Sequence, residues 1–242
     1  MAKKKTVAKR KAAQKPQPHF TPELFSFLRA LAKNNDRAWF TENKERYEKH
    51  VKMPLLDFIA DFAPRLSGIS KQLIADPRPV GGSMFRVYRD TRFSKDKTPY
   101  KTHASAHFQH QASKGASREQ SVHAPGYYLH LEPGSVFLAG GLWQPPTDVA
   151  VKIRRAIDVK RPEWKRAISR IELEGDSLKR PPTGFDPEHP LIEDLKRKDF
   201  IASIYLSEKA ACSASFLDDV TDACKTTAPL MAFLTRSAGF SW

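Results

Sequence analysis

Gly126-Tyr127-Tyr128-Leu129-His130-Leu131-Glu132 is followed by Pro133-Gly134 and then by Ser135-Val136-Phe137-Leu138-Ala139-Gly140. Apolar and polar residues alternate on both sides of the Pro-Gly pair. That pattern predicts a β-hairpin with its turn at 133–134, the clearest one in the chain. Upstream, His103 to His110 also alternates, with Ala104, Ala106 and Phe108 on one face and His103, Ser105, His107 and Gln109 on the other. Met84 to Arg89 and Phe200 to Tyr205 read as further strands, and Gly175 to Arg180 as a weaker one.

Helical patterns flank this block. Thr21 as N-cap, Pro22 at N1 and Glu23 in the first turn open a helix carrying Leu24, Leu28 and Leu31. Phe20 and Phe25 have the spacing of a hydrophobic staple. Asn34-Asn35-Asp36 breaks that helix, and Asp36 can cap the next. Residues 21–67 are predicted helical with two breaks, the second near Pro54. Further helices are predicted from Thr147, around 163–168, over 191–198 and over 213–236. Helices on either side of strands joined by short turns predict an α+β fold: a single domain over 20–242, with a mostly antiparallel central sheet.

Composition bounds the rest. The chain has 242 residues, with Lys+Arg 41 against Asp+Glu 27, a net charge of +14. Half of that excess comes from Lys3, Lys4, Lys5, Lys9, Arg10, Lys11 and Lys15, with no acid before Phe20. Residues 1–19 are predicted to be a disordered basic tail, either a solubilising segment or an arm for nucleic acid or another polyanion. No apolar run is long enough to span a membrane, and no secretory signal is evident. Cys212 and Cys224 are too few for a disulfide framework or a structural zinc site. On one long helix they would lie about 18 Å apart. A cytoplasmic protein is the simplest expectation.

The densest chemistry lies at 84–103, where Arg86, Arg89, Arg92, Lys95, Lys97 and Lys101 face only Asp90 and Asp96. Strand parity would put Arg89 on a core face with Phe85 and Val87, in need of a partner such as Asp90 or Glu132. Two readings stand: a salt-bridge network that pins the loop, or an oxyanion site made of guanidinium forks. Loop 90–101 has no glycine and so is no phosphate-cradling loop. Phe93, Tyr100, Phe108, Tyr127 and Tyr128 interleave with the charge. They read as the sheet's core, with base-stacking on single-stranded nucleic acid as the alternative.

His130 and Glu132 share a strand face with Tyr128, which is minimal equipment for proton transfer. As metal ligands they would need a third. His103 and His107 are about 13 Å apart along a strand and cannot serve one ion together. No metal site and no cofactor are predicted. Catalytic candidates are His130, Glu132 and Asp90. Gly140-Gly141 and the following helix N-terminus would join the basic loop in one anion site if the two met.

Longer motifs carry a resemblance. They are Leu31, the run Asn34-Asn35-Asp36-Arg37-Ala38-Trp39-Phe40, Glu42-Asn43-Lys44, Tyr47, the whole of 84–102, Pro125 to Leu131, Ala139-Gly140-Gly141, Gly184-Phe185, His189-Pro190 and Asp194-Leu195-Lys196. Together they resemble the Domain of Unknown Function 2461 family over about residues 20–236. The resemblance implies one α+β domain. It brings no activity and no catalytic residues. The functional expectation is an anion-binding protein, for nucleic acid or another polyanion, built on 84–103. The alternatives are an enzyme on a phosphorylated or carboxylated small molecule, or a structural or partner-binding module.

Overall fold

The computed structural model describes residues 17–113 and 123–242. Residues 1–16 of the predicted basic tail, and most of the polar segment expected at 111–121, lie outside the described residues. His19 lies against Phe58 at 5.4 Å and bonds Asp61 at 2.9 Å.

The N-terminal third is helical, as α1 (Pro22–Lys33), α2 (Arg37–Glu42), α3 (Lys44–Tyr47), a π-helical turn (Glu48–Lys52) and α4 (Met53–Ile69). Pro22 occupies the first turn of α1, where its missing N–H costs nothing. Thr21 is at the N-cap position but caps no backbone N–H; its hydroxyl bonds Glu23 instead. Asp36 does cap α2, accepting from the Trp39 N–H at 2.9 Å. Pro54 opens α4 rather than closing a helix, and the π turn absorbs the lost backbone bond.

Four antiparallel strands follow in the order β1 (Ala104–Phe108), β2 (Gly126–Glu132), β3 (Ser135–Leu142) and β4 (Phe200–Leu206). The predicted hairpin is β2–β3, with Glu132 paired to Ser135 around Pro133-Gly134. Between β3 and β4 lie α5 (Thr147–Val159), α6 (Arg161–Ile168) and the short α7 (Ile192–Leu195). The chain closes with α8 (Glu208–Ala211) and the long α9 (Phe216–Ser237), which continues through Pro229. Among the described residues no helix is long and apolar enough to cross a membrane.

One sheet face is the core. Ala106, Phe108, Tyr127, Leu129, Leu131 and Leu138 are fully buried, packed with Phe58, Phe62, Phe216 and Met231 from the helices. Tyr127 sits in this core because its hydroxyl reaches the Cys224 carbonyl at 2.8 Å. A second cluster, with Trp164, Phe200 and Phe233, seals the far end of the sheet. Cys212 and Cys224 are free thiols on different helical segments, not one long helix.

Two expected strands are not regular strands. Segment 84–89 runs antiparallel to 99–106, but pairs only through isolated bridges, Met84 with Ala106 and Tyr88 with Tyr100. The register shifts by two residues between these bridges, and the irregular backbone does not hold strand parity. Val87 is buried, whereas Phe85 is 41% exposed. Segment 175–180 likewise makes a lone bridge, Ser177 with Arg197.

Candidate functional site on the open sheet face

Among the described residues, no helix packs over the second sheet face, which period-2 alternation supplies with its own side chains. The β1–β4 register aligns Ser105, His130, Phe137 and Tyr205 in one row across it, and His107, Tyr128, Ala139 and Ser203 in the next. Opposite each core leucine therefore stands a polar or aromatic side chain. His130 stacks on Phe137 at 4.8 Å, and Phe137 meets Tyr205 at 5.6 Å.

A cavity of about 760 Å³ occupies one end of this face. Phe85, His107, Tyr128, Phe137, Trp143 and Tyr205 wall it. Gly141 forms part of the floor. Its φ is +142°, and a Cβ there would sit 2.0 Å from the Phe200 carbonyl oxygen, so only glycine fits. Behind the lining, the Nζ of Lys101 lies 4.9 Å from the centre of the Phe85 ring. Burial, and then Arg86, lower its pKa. A hollow of similar size, about 780 Å³, lies between α1 and α8. Arg29 and Glu208 in its wall bind each other at 2.6 Å.

From the cavity wall a polar chain runs along β2. The Tyr128 hydroxyl donates to His130 Nδ1 at 3.0 Å, and His130 Nε2 donates to Glu132 Oε2 at 3.1 Å. Glu132 Oε1 accepts from the Thr102 hydroxyl at 2.7 Å. An ionised carboxylate can only accept, which places the imidazole proton on Nε2. Burial opposes the charge of Glu132, but the bonds from Thr102 and His130 outweigh it and hold the carboxyl below its ordinary pKa. Burial raises the Tyr128 phenol. His103 lies with its ring 4.5 Å from that of His130. Burial, reinforced by His130, lowers His103 to about 4. One donor atom from each of His103, His130 and Glu132 lies within 4.8 Å of the others, the arrangement of a cation site.

The basic segment is spent differently from the simplest expectation. Arg89 is not in the core. It binds Asp96 and Thr98, and neither Asp90 nor Glu132 is its partner. Asp90 instead takes the guanidinium of Arg92 at 2.6 Å, which with the Arg92 N–H holds its carboxyl well below the usual range. Lys97 bonds the Thr91 carbonyl at 2.9 Å. Arg86, Lys95 and Lys101 form no ion pair among the described residues. Loop 90–98 is the tip of the irregular hairpin, with Phe93 fully in solvent at 95%. Loop 90–98 adds no residue to the cavity beside Gly140-Gly141. Tyr100 and Phe108 are core, as expected of the aromatics; Phe93 and Tyr128 are not.

A family model described as a conserved hypothetical protein (DUF2461) matches residues 23–233. The chain belongs to that family. The DUF2461 match spans the four strands and both flanking helical sets, so the open sheet face lies wholly inside it. No curated protein matches the chain.

Local alternation relates His103 only to His107, too far along the strand to share an ion, and does not reveal it as a companion of His130. The signal lay in the register: continuing the β1–β2 pairing one step past Ala104 and Leu131 puts His103 opposite Glu132. Asn35 was read only as a helix breaker. Its side chain brackets the backbone of Tyr100, donating to the carbonyl at 2.9 Å and accepting from the N–H at 3.0 Å. It thereby ties the base of the basic hairpin to the α1–α2 turn.

Proposed function

We propose that this protein binds a small anionic molecule bearing a flat apolar portion on the open face of its sheet. The observation that carries the reading is the aromatic cavity, with Lys101 held against Phe85 of its wall and Arg86 beside it. Concave, largely apolar walls with a few placed polar groups are the usual form of a ligand site. Desolvated Lys101 and exposed Arg86 would take a phosphate or carboxylate; Phe85, Phe137 and Tyr205 would cover the flat part. The wider anion-binding expectation thus contracts from six basic residues to two. Arg89, Arg92 and Lys97 support the hairpin rather than a ligand.

A polyanion role then rests on the tail from Lys3 to Lys15, together with Lys95 at the hairpin tip. Two free thiols fit a reducing, cytoplasmic setting. A second reading, an enzyme, is favoured by one observation. The Tyr128 hydroxyl lines the cavity and connects through His130 to Glu132, a path by which a proton can leave or reach a bound molecule.

Thermal-shift screening of aromatic carboxylates and phosphate esters tests the binding reading. Binding raises Tm in proportion to ligand concentration over Kd. Lys101→Ala with Arg86→Ala is expected to weaken any hit at least about ten-fold, while Lys95→Ala leaves it alone. Equal affinity in the double variant, or no hit at all in the wild type, would sink the proposal.

A further inference from the structure

The His103, His130 and Glu132 cluster lies behind the cavity wall formed by Tyr128 and Phe137, and none of the three lines the cavity. The His130 Nε2 to Glu132 Oε2 separation is 3.1 Å. Metal–ligand bonds of about 2.0–2.1 Å give ligand–ligand edges of about 2.8–3.0 Å in octahedral and about 3.3–3.4 Å in tetrahedral spheres. The observed edge lies between the two, so little movement would seat an ion. The far sides of both ligands are anchored, Glu132 by Thr102 at 2.7 Å and His130 by Tyr128 at 3.0 Å. Outer partners of this kind orient histidine and carboxylate ligands in metal sites.

We propose that His103, His130 and Glu132 bind one divalent transition-metal ion of the zinc class. Two imidazoles and one carboxylate suit zinc, cobalt, nickel or ferrous iron better than the oxygen-seeking calcium and magnesium. Three protein ligands leave at least one position open to water or an exogenous anion. On binding, the hydrogen bond between His130 and Glu132 is replaced by two bonds to the metal. The imidazole stays neutral by carrying its proton on Nδ1, which then donates to the Tyr128 oxygen. The phenolic proton can turn toward Ser105, whose hydroxyl already bonds Tyr128. Glu132 alone supplies negative charge and Lys101 acts on His103, so the loaded site keeps net positive charge. The proposal stands whether or not the cavity holds an anion.

The test is a titration of the full chain, freed of metal with a chelator and desalted, with Co²⁺. The readout is visible ligand-field absorption, with Zn²⁺ as competitor. The expected result is one Co²⁺ per chain, displaced by Zn²⁺. Affinity should fall at least about ten-fold in His103→Ala and in Glu132→Gln, and stay unchanged in His107→Ala. His103 and Glu132 are both partly exposed, so these variants are chosen over the buried His130, and circular dichroism checks their fold. No absorption in the wild type would overturn the proposal. So would wild-type affinity in folded His103→Ala or Glu132→Gln, or a loss of binding in His107→Ala alone.

Discussion

Nε2 of His130 stands 3.1 Å from Oε2 of Glu132, two positions further along the same strand. The contact joins an 8%-exposed imidazole to a half-buried carboxylate on a sheet face that no helix covers among the described residues. Strand geometry puts residues i and i+2 on one side, and Tyr128 is the preceding member of the same row. The three side chains therefore form a hydrogen-bonded line whose phenol end opens into the cavity.

Tyr128→Phe removes the donor to His130 Nδ1 without changing ring volume. The expected stability loss is about 1 kcal/mol, the net worth of one hydrogen bond. Urea denaturation measures it. The ¹⁵N shift of His130 Nδ1 should also move, because it loses its donor while Glu132 keeps the proton on Nε2. An unchanged Nδ1 shift would show that Tyr128 does not donate to His130.

Asn35→Ala should cost about 2 kcal/mol, since it strips both bonds from the Tyr100 backbone groups. Tyr100 itself is buried and stacked on Phe40 at 4.1 Å, so the hairpin base should stay packed while its backbone loosens. Faster amide exchange at Tyr100, with little change in the β2–β3 pair, is the expected signature.

Gly141→Ala should be severe, about 3 kcal/mol or more, because a strained φ and a clash with the Phe200 carbonyl act together. Gly134→Ala, at the hairpin turn with φ +82° but open space around it, should cost about 1–2 kcal/mol. Thermal denaturation of both variants compares them; a larger loss at Gly134 would contradict the close approach of β3 to β4.

Asp96 titrates at about 2, held down first by Arg89 and then by the Thr98 N–H and hydroxyl. A lowered folded value means the hairpin tip gains stability above the ordinary carboxylate pKa. That gain is lost as pH falls through about 2. Carboxyl ¹³C shifts should report Asp96 still ionised at pH 3, and Arg89→Gln should return it toward ordinary titration.

The thiols should be inert near neutral pH. Burial pushes Cys224 well above the ordinary thiol value, and raises Cys212 with help from Glu208 and Glu23. A disulfide-exchange reagent should label Cys212 slowly and Cys224 only on unfolding. Fast labelling of both in the native state would contradict the burial of α9.

The sequence by itself determined what local patterns can carry. Alternation around Pro133-Gly134 set the β2–β3 hairpin, capping by Asp36 and the leucine spacing of α1 set the first helices, and the order of elements set the α+β class. These depend on neighbours in the chain, so a period and a turn residue suffice. Segment 84–89 was misread as a strand because its pattern is strand-like while its register, set by β1 and Tyr100, slips between two bridges. Phe85 and Arg89 leave the core face that strand parity gives them, while Val87 keeps it. Only the tertiary structure decided which basic residues are neutralised. Asp90 adjoins Arg89 in sequence and Asp96 is nearer to Arg92 than to Arg89, yet the bend of the hairpin tip pairs Asp90 with Arg92 and Asp96 with Arg89. Tertiary pairing likewise brought His103 to His130, and Asn35 to Tyr100 across 65 residues of chain. Such contacts leave no periodic trace, because they are fixed by how strands align and helices pack.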